Sequence, residues 1–104
     1  MPKFSFSVPQ ALGKEEAKKQ LKAYIEKSRE FYAKQMGEVT EDWSTWDANS
    51  SYSFNFTTFG FKIGGVMTVG DKDVRVDGDL PFAAIMFKGK VEEGFRDMVN
   101  RALS

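Results

Sequence analysis

Apolar and polar residues alternate along Lys3-Phe4-Ser5-Phe6-Ser7-Val8, with Phe4, Phe6 and Val8 in one phase and Lys3, Ser5 and Ser7 in the other. A period of two is that of a half-buried strand, and Pro9, which cannot donate to a ladder, ends it. After the connector Gln10–Gly13 the period lengthens. Between Lys14 and Met36, Ala17, Leu21, Tyr24, Ile25, Phe31, Tyr32 and Met36 share one stripe with Ser28. Lys, Glu, Arg and Gln fill the rest, so the spacing predicts a long amphipathic helix. Glu15 and Glu16 suit the first turn, where the helix dipole favours anions; Glu15–Lys19 and Glu30–Lys34 are i,i+4 pairs, and Gly37 supplies a stop.

Residues 38–46 read as a strand with imperfect alternation. Trp43 and Trp46, three apart, cannot share a face of a regular strand, so either a bulge separates them or one sits at the strand end. Asp47-Ala48-Asn49-Ser50 is a turn by composition. Tyr52, Phe54 and Phe56 then alternate with Ser53, Asn55 and Thr57, and Phe59-Gly60 turns the chain. Phe61, Ile63, Gly65, Met67 and Val69 oppose Lys62, Gly64 and Thr68, interrupted by Val66; Gly64-Gly65 lies where a sheet must curve around a helix. Gly70–Asp73 is a turn. Val74, Val76, Gly78 and Leu80 next oppose Arg75, Asp77 and Asp79. At Pro81, suited to a first helical turn, the period changes again. Ala84, Phe87, Val91, Phe95, Met98 and Ala102, with Val99 and Leu103 beside them, predict a helix from Pro81 onward that folds back over the sheet. Gly89 and Gly94 are read as points of close approach to the sheet or the first helix.

The order is β-α-β-β-β-β-α. Short turns between the last four strands make an antiparallel meander, and every clear strand has one apolar and one polar face. An antiparallel sheet can leave one face in water, so both helices belong on the other. The expected architecture is a two-layer α+β fold, a five-stranded antiparallel sheet with two helices on one face, in a single domain spanning 1–104.

Composition sharpens this picture mainly by exclusion. Ten Phe, two Trp and three Tyr supply most of a core. Fifteen basic residues balance fifteen acidic ones, which argues against a nucleic-acid binder or an anionic-membrane partner. There is no Cys and no His, so disulfides, thiolates and imidazole bases or metal ligands are excluded. No apolar run approaches the roughly 18 residues of a membrane span, and no signal peptide is evident, so the chain is read as cytoplasmic. No cofactor is expected.

Candidate chemistry is sparse. Asp77 and Asp79 share a strand face roughly 7 Å apart by strand rise; they read as a solvated face, or as an acid–base pair in the least favoured, enzymatic alternative. The spacing of Asp71, Asp73, Asp77 and Asp79 is not that of a calcium loop, and Gly60–Gly65 lacks the phosphate-loop pattern. The lysines of the first helix, cancelled by glutamates, read as a solvated face. The stretch Leu80-Pro81-Phe82-Ala83-Ala84-Ile85-Met86-Phe87 wraps apolar residues right round a helical turn. One stripe buries part of it, leaving Phe82, Ile85 and Met86 to be covered by neighbouring elements, a homo-oligomer contact, a ligand or an external hydrophobic surface.

Several of these stretches resemble the polyhydroxyalkanoic acid system family of granule-region proteins. The opening strand and V-P-Q-A-L-G-K-E-E-A match, then Trp43, S-F-N-F ahead of G-F-K-I-G-G, and V-R-V-D-G-D-L-P-F-A-A-I-M-F-K-G-K-V-E. The family often carries His where this chain has Gln10. The resemblance implies a small cytoplasmic protein linked to bacterial polyester storage granules and brings no catalytic residue with it. The element order is also similar to a trimmed helix-grip (START-like) domain, a likeness of fold only. Two functional expectations follow. A non-enzymatic granule accessory protein would bind the polymer surface or a granule protein through Phe82, Ile85 and Met86. Alternatively, a small apolar or acyl ligand would sit between sheet and last helix among Phe54, Phe56, Phe61 and Phe87.

Overall fold

The computed structural model describes residues 3–36, 39–58 and 60–104; the expected stop at Gly37 and the Phe59 half of its turn lie outside them. Period-two alternation produces strands β1 (Lys3–Pro9), β2 (Val39–Asp42), β3 (Ser51–Thr58), β4 (Phe61–Val69) and β5 (Asp73–Asp79). They form one antiparallel sheet in the order β1-β5-β4-β3-β2. The register aligns the apolar phases into rows across one face. Val8, Val74 and Val69 make one row, and Phe6, Val76, Met67 and Tyr52 the next. The third runs Phe4, Gly78, Gly65, Phe54 and ends on Glu41. Phe56 stands between Ile63 and Val39 in the fourth.

The two glycines of the third row are needed for close approach. A Cβ at Gly78 would stand 2.4 Å from the Phe4 ring, and one at Gly65 2.7 Å from the Phe54 ring. Each would also meet a neighbouring strand's carbonyl, at 2.5 and 2.7 Å. Two phenylalanine rings therefore lie inward over a glycine pair, filling the space that side chains at those positions would take.

The apolar face is covered by α1 (Lys14–Met36) and α3 (Lys88–Ala102), the latter preceded by a 3-10 turn over Phe82–Phe87. Ala17 and Leu21 of α1, and Val99 and Ala102 of α3, are buried in the core. Phe95 holds α3 to the sheet, its ring 5.0–6.2 Å from those of Phe4, Phe6, Phe54 and Phe56. Gln10 fastens the other side. Its amide donates to the Gly70 and Asp71 carbonyls at 2.9 Å and its oxygen accepts from Leu12 N–H at 2.7 Å, so the connector after β1 is tied to the β4–β5 turn.

Several local expectations are corrected. The strand expected over 38–46 stops at Asp42, whose carboxylate accepts the Ser44 N–H at 2.8 Å and turns the chain. The turn expected at 47–50 is instead a one-turn helix, α2 (Trp46–Asn49), ended by left-handed Ser50. The helix expected from Pro81 is split: Pro81 keeps an extended ψ of 151°, and the Ala84 N–H bonds back to its carbonyl over three residues. A Cβ at Gly89 or Gly94 would have no atom within 4 Å, so neither marks a close approach. Phe31, assigned to the core stripe of α1, is 60% exposed and packs edge-on against Tyr32.

Candidate functional site

An apolar cavity of about 270 Å³ lies between α1, α3 and the β2–β3 side of the sheet. The helical period places Ile25, Arg29 and Tyr32 along one side of α1 facing it. Val39 and Glu41 enter from β2, and Tyr52, Phe54, Phe56 and Thr58 from β3. Met67 contributes from β4, and Val91, Phe95 and Met98 from α3. Gly94 lines it without filling it, and Lys90 stands at the α3 end. Phe54 and Phe56 thus line a cavity between sheet and last helix. Phe61 and Phe87 pack on each other at 6.0 Å and are not among its lining residues.

The cavity has one polar corner. Arg29 Nε donates to Glu41 Oε1 and Oε2 at 3.1 Å each, and Arg29 Nη2 to Oε2 at 2.7 Å. Trp43 Nε1–H donates to the same Oε2 at 3.2 Å. Only 13% of the Glu41 side chain is exposed, against 47% for Arg29. Burial pushes the Glu41 carboxyl up, but donors on Arg29, Trp43 and Tyr52 outweigh it and hold the group below the ordinary glutamate value. Burial, reinforced by the Glu41 charge, pushes the Tyr52 phenol up; burial and Tyr24 raise Tyr32 to about 12. Both phenols keep their protons at neutral pH. Sequence reading missed this corner. Its signal was present: Glu41 falls in phase with Val39 and Trp43, a carboxylate on an otherwise apolar strand face.

The two tryptophans pack close by. Trp43 meets Trp46 edge-on at 5.0 Å and Tyr52 at 4.2 Å. The ammonium groups of Lys18 and Lys22 each lie 5.5 Å over a tryptophan ring, Lys18 on Trp46 and Lys22 on Trp43. Two lysines of the α1 face thereby cap aromatic surface.

Phe82, Ile85 and Met86 stand out from the 3-10 turn and are 75%, 53% and 79% exposed; of that turn, only Ala84 is buried. On the opposite side of the sheet, Asp77 accepts from Arg75 Nε at 2.9 Å and from Ser5 Oγ at 2.7 Å. Arg75 and Ser5 hold its carboxyl below the usual aspartate value. Asp79 stands across from Lys3 in the register. Among the described residues no group of three or more acidic side chains could hold a metal ion, and no helix is long and apolar enough to cross a membrane.

A curved antiparallel sheet covered on one face by a long first helix and a C-terminal helix recurs in a solved structure. The chain matches the crystal structure of TTHA0849 from Thermus thermophilus with a TM-score of 0.57, over 98% of this chain and 94% of that one, at 11% identity. No curated protein matches the chain. The family model described as "Putative polyhydroxyalkanoic acid system protein" matches residues 5–103, and the chain belongs to that family.

Proposed function

We propose that this protein is a non-enzymatic accessory protein of bacterial polyhydroxyalkanoate granules that docks on the polymer through Phe82, Ile85 and Met86. The observation that carries the reading is the exposure of three large apolar side chains on a single turn. Such a cluster gains free energy by leaving water against another apolar surface. An uncharged aliphatic polyester offers that surface, and family membership links the chain to such polymers. The test is co-sedimentation of purified protein with washed granules at low and high salt. Binding should resist salt. Phe82→Asp with Met86→Asp should abolish it while shifting stability by no more than about 0.5 kcal/mol, because neither side chain is packed. Unchanged sedimentation of the double variant refutes the surface.

A second reading, an apolar or acyl ligand held between sheet and α3, is favoured by the cavity itself. Gly94→Leu projects a side chain toward that space. It should raise the thermal midpoint and remove ligand binding; a variant that still binds ligand at full affinity counts against this reading.

A further inference from the structure

We infer that the cavity selects a neutral hydroxyacyl ester over a free carboxylate, with the hydroxyl seated against Glu41 and Tyr52 and the aliphatic chain running along Phe54 and Phe56 toward Thr58. The inference rests on the second reading above and names its ligand class. Size comes first. An apolar cavity of about 150 Å³ accommodates benzene. By proportion the space here, about 270 Å³, holds roughly eleven non-hydrogen atoms. That is the size of a medium-length acyl ester.

Charge decides the head group. Arg29 is the cation at the corner, and its guanidinium is already held in a forked contact by Glu41. A ligand carboxylate placed there would face the Glu41 carboxylate, which already matches the Arg29 charge. A neutral oxygen meets no such repulsion. Glu41 Oε2 receives three donors, two from Arg29 and one from Trp43, whereas Oε1 receives Arg29 Nε at 3.1 Å. Oε1 has room for a donor besides Arg29 Nε, and the ligand hydroxyl takes that place from the Tyr52 phenol, which donates to this carboxylate in the empty site. The Tyr52 phenol, protonated at neutral pH, reaches the same carboxylate. A hydroxyl inserted between them accepts from the phenol and donates to Oε1. A group that both donates and accepts uses both partners, and a hydroxyl is the smallest that does. Beyond the corner the walls are Phe54, Phe56, Val91 and Met98, fit for methylenes. The repeating unit of a polyhydroxyalkanoate is itself a hydroxyacyl ester, which agrees with the family.

The opposite polarity is the competitor. Lys90 lies three residues past Phe87, whose ring packs on Phe61 at the β3–β4 end. That end is six residues along β3 from Tyr52, roughly 20 Å by strand rise. A free acid would seat its carboxylate there with the chain reversed. Three probes separate these cases: methyl 3-hydroxyoctanoate, methyl octanoate and the 3-hydroxyoctanoate anion. Each is titrated into the full chain at pH 7 by calorimetry and tryptophan fluorescence, for which Trp43 at the corner is a built-in reporter. Methyl 3-hydroxyoctanoate should bind about tenfold more tightly than either other probe. Tyr52→Phe, which keeps the ring and removes the hydroxyl, should collapse its advantage over methyl octanoate. If the anion binds as well or better, and Lys90→Gln removes that binding, the head-group assignment is overturned while the cavity remains a ligand site. Equal binding of the two esters overturns the hydroxyl contact alone. Binding by none of the three overturns the inference and the second reading together.

Discussion

At Gly78 a single methyl group would stand 2.5 Å from the Gly64 carbonyl and 2.4 Å from the Phe4 ring. Gly78→Ala should therefore cost about 1–3 kcal/mol, read as a lowered urea midpoint with an unchanged m-value, since the Phe4 ring must leave its place and the strands must part. The Arg29–Glu41 pair makes a different, asymmetric prediction. Glu41→Gln removes a half-wet ion pair and should cost about 1 kcal/mol. Arg29→Gln leaves a mostly buried carboxylate without its main partner and should cost more, about 2–3 kcal/mol. Because the folded state holds Glu41 below its ordinary value of 4.5, the pair's contribution is present above that pH and is lost as pH falls through the folded value. The stability gap between wild type and Glu41→Gln should thus narrow as pH falls below 4.5, measured by denaturation at each pH; a gap that stays constant as pH falls would sink the assignment. At this scale the sequence was half legible. Alternation assigned Phe4, Phe6, Phe54 and Met67 to the core. It could not show that Arg29, twelve residues away on a helix surface, turns in to meet Glu41, because that contact depends on where α1 crosses the sheet.

Regular elements were more legible than the joints between them. The limits of α1 and of β4 coincide with the reach of their periodic patterns, since long runs of one period admit one structure. The joints failed where a single side chain redirected the backbone. Asp42 captures the Ser44 N–H and ends β2 early, so Trp46 sits on a short helix rather than across a bulge. Pro81 holds an extended ψ, so the apolar run that follows tightens into a 3-10 turn before α3 begins. That offset matters for function. It leaves Phe82, Ile85 and Met86 outside the packing of α3 and separates Phe87 from the cavity that Phe95 and Met98 line. Periodicity joined the two segments into one helix and so placed Phe87 with Phe54 and Phe56.

Across the whole molecule the contacts divide into near and far. The β2–β3, β3–β4 and β4–β5 pairings link neighbours in the chain, whereas β1 pairs β5 from Lys3↔Asp79 to Pro9↔Asp73. Closing a loop of that length precedes any reward from the contacts it makes, so β1 should dock late. Stopped-flow measurements on Val8→Ala, which thins the β1–β5 seam from the β1 side, should show faster unfolding with nearly unchanged folding. Ile63→Val in the β3–β4 hairpin should slow folding instead. During synthesis the consequence is one of timing. β1 leaves the ribosome first of the five strands and then waits while some seventy residues are added, at about 5–20 residues per second, before its partner emerges. For several seconds its Phe4, Phe6 and Val8 face is uncovered. The interval in which the nascent chain is open to chaperone capture or to pairing with a neighbour is thus set by the position of one strand in the gene.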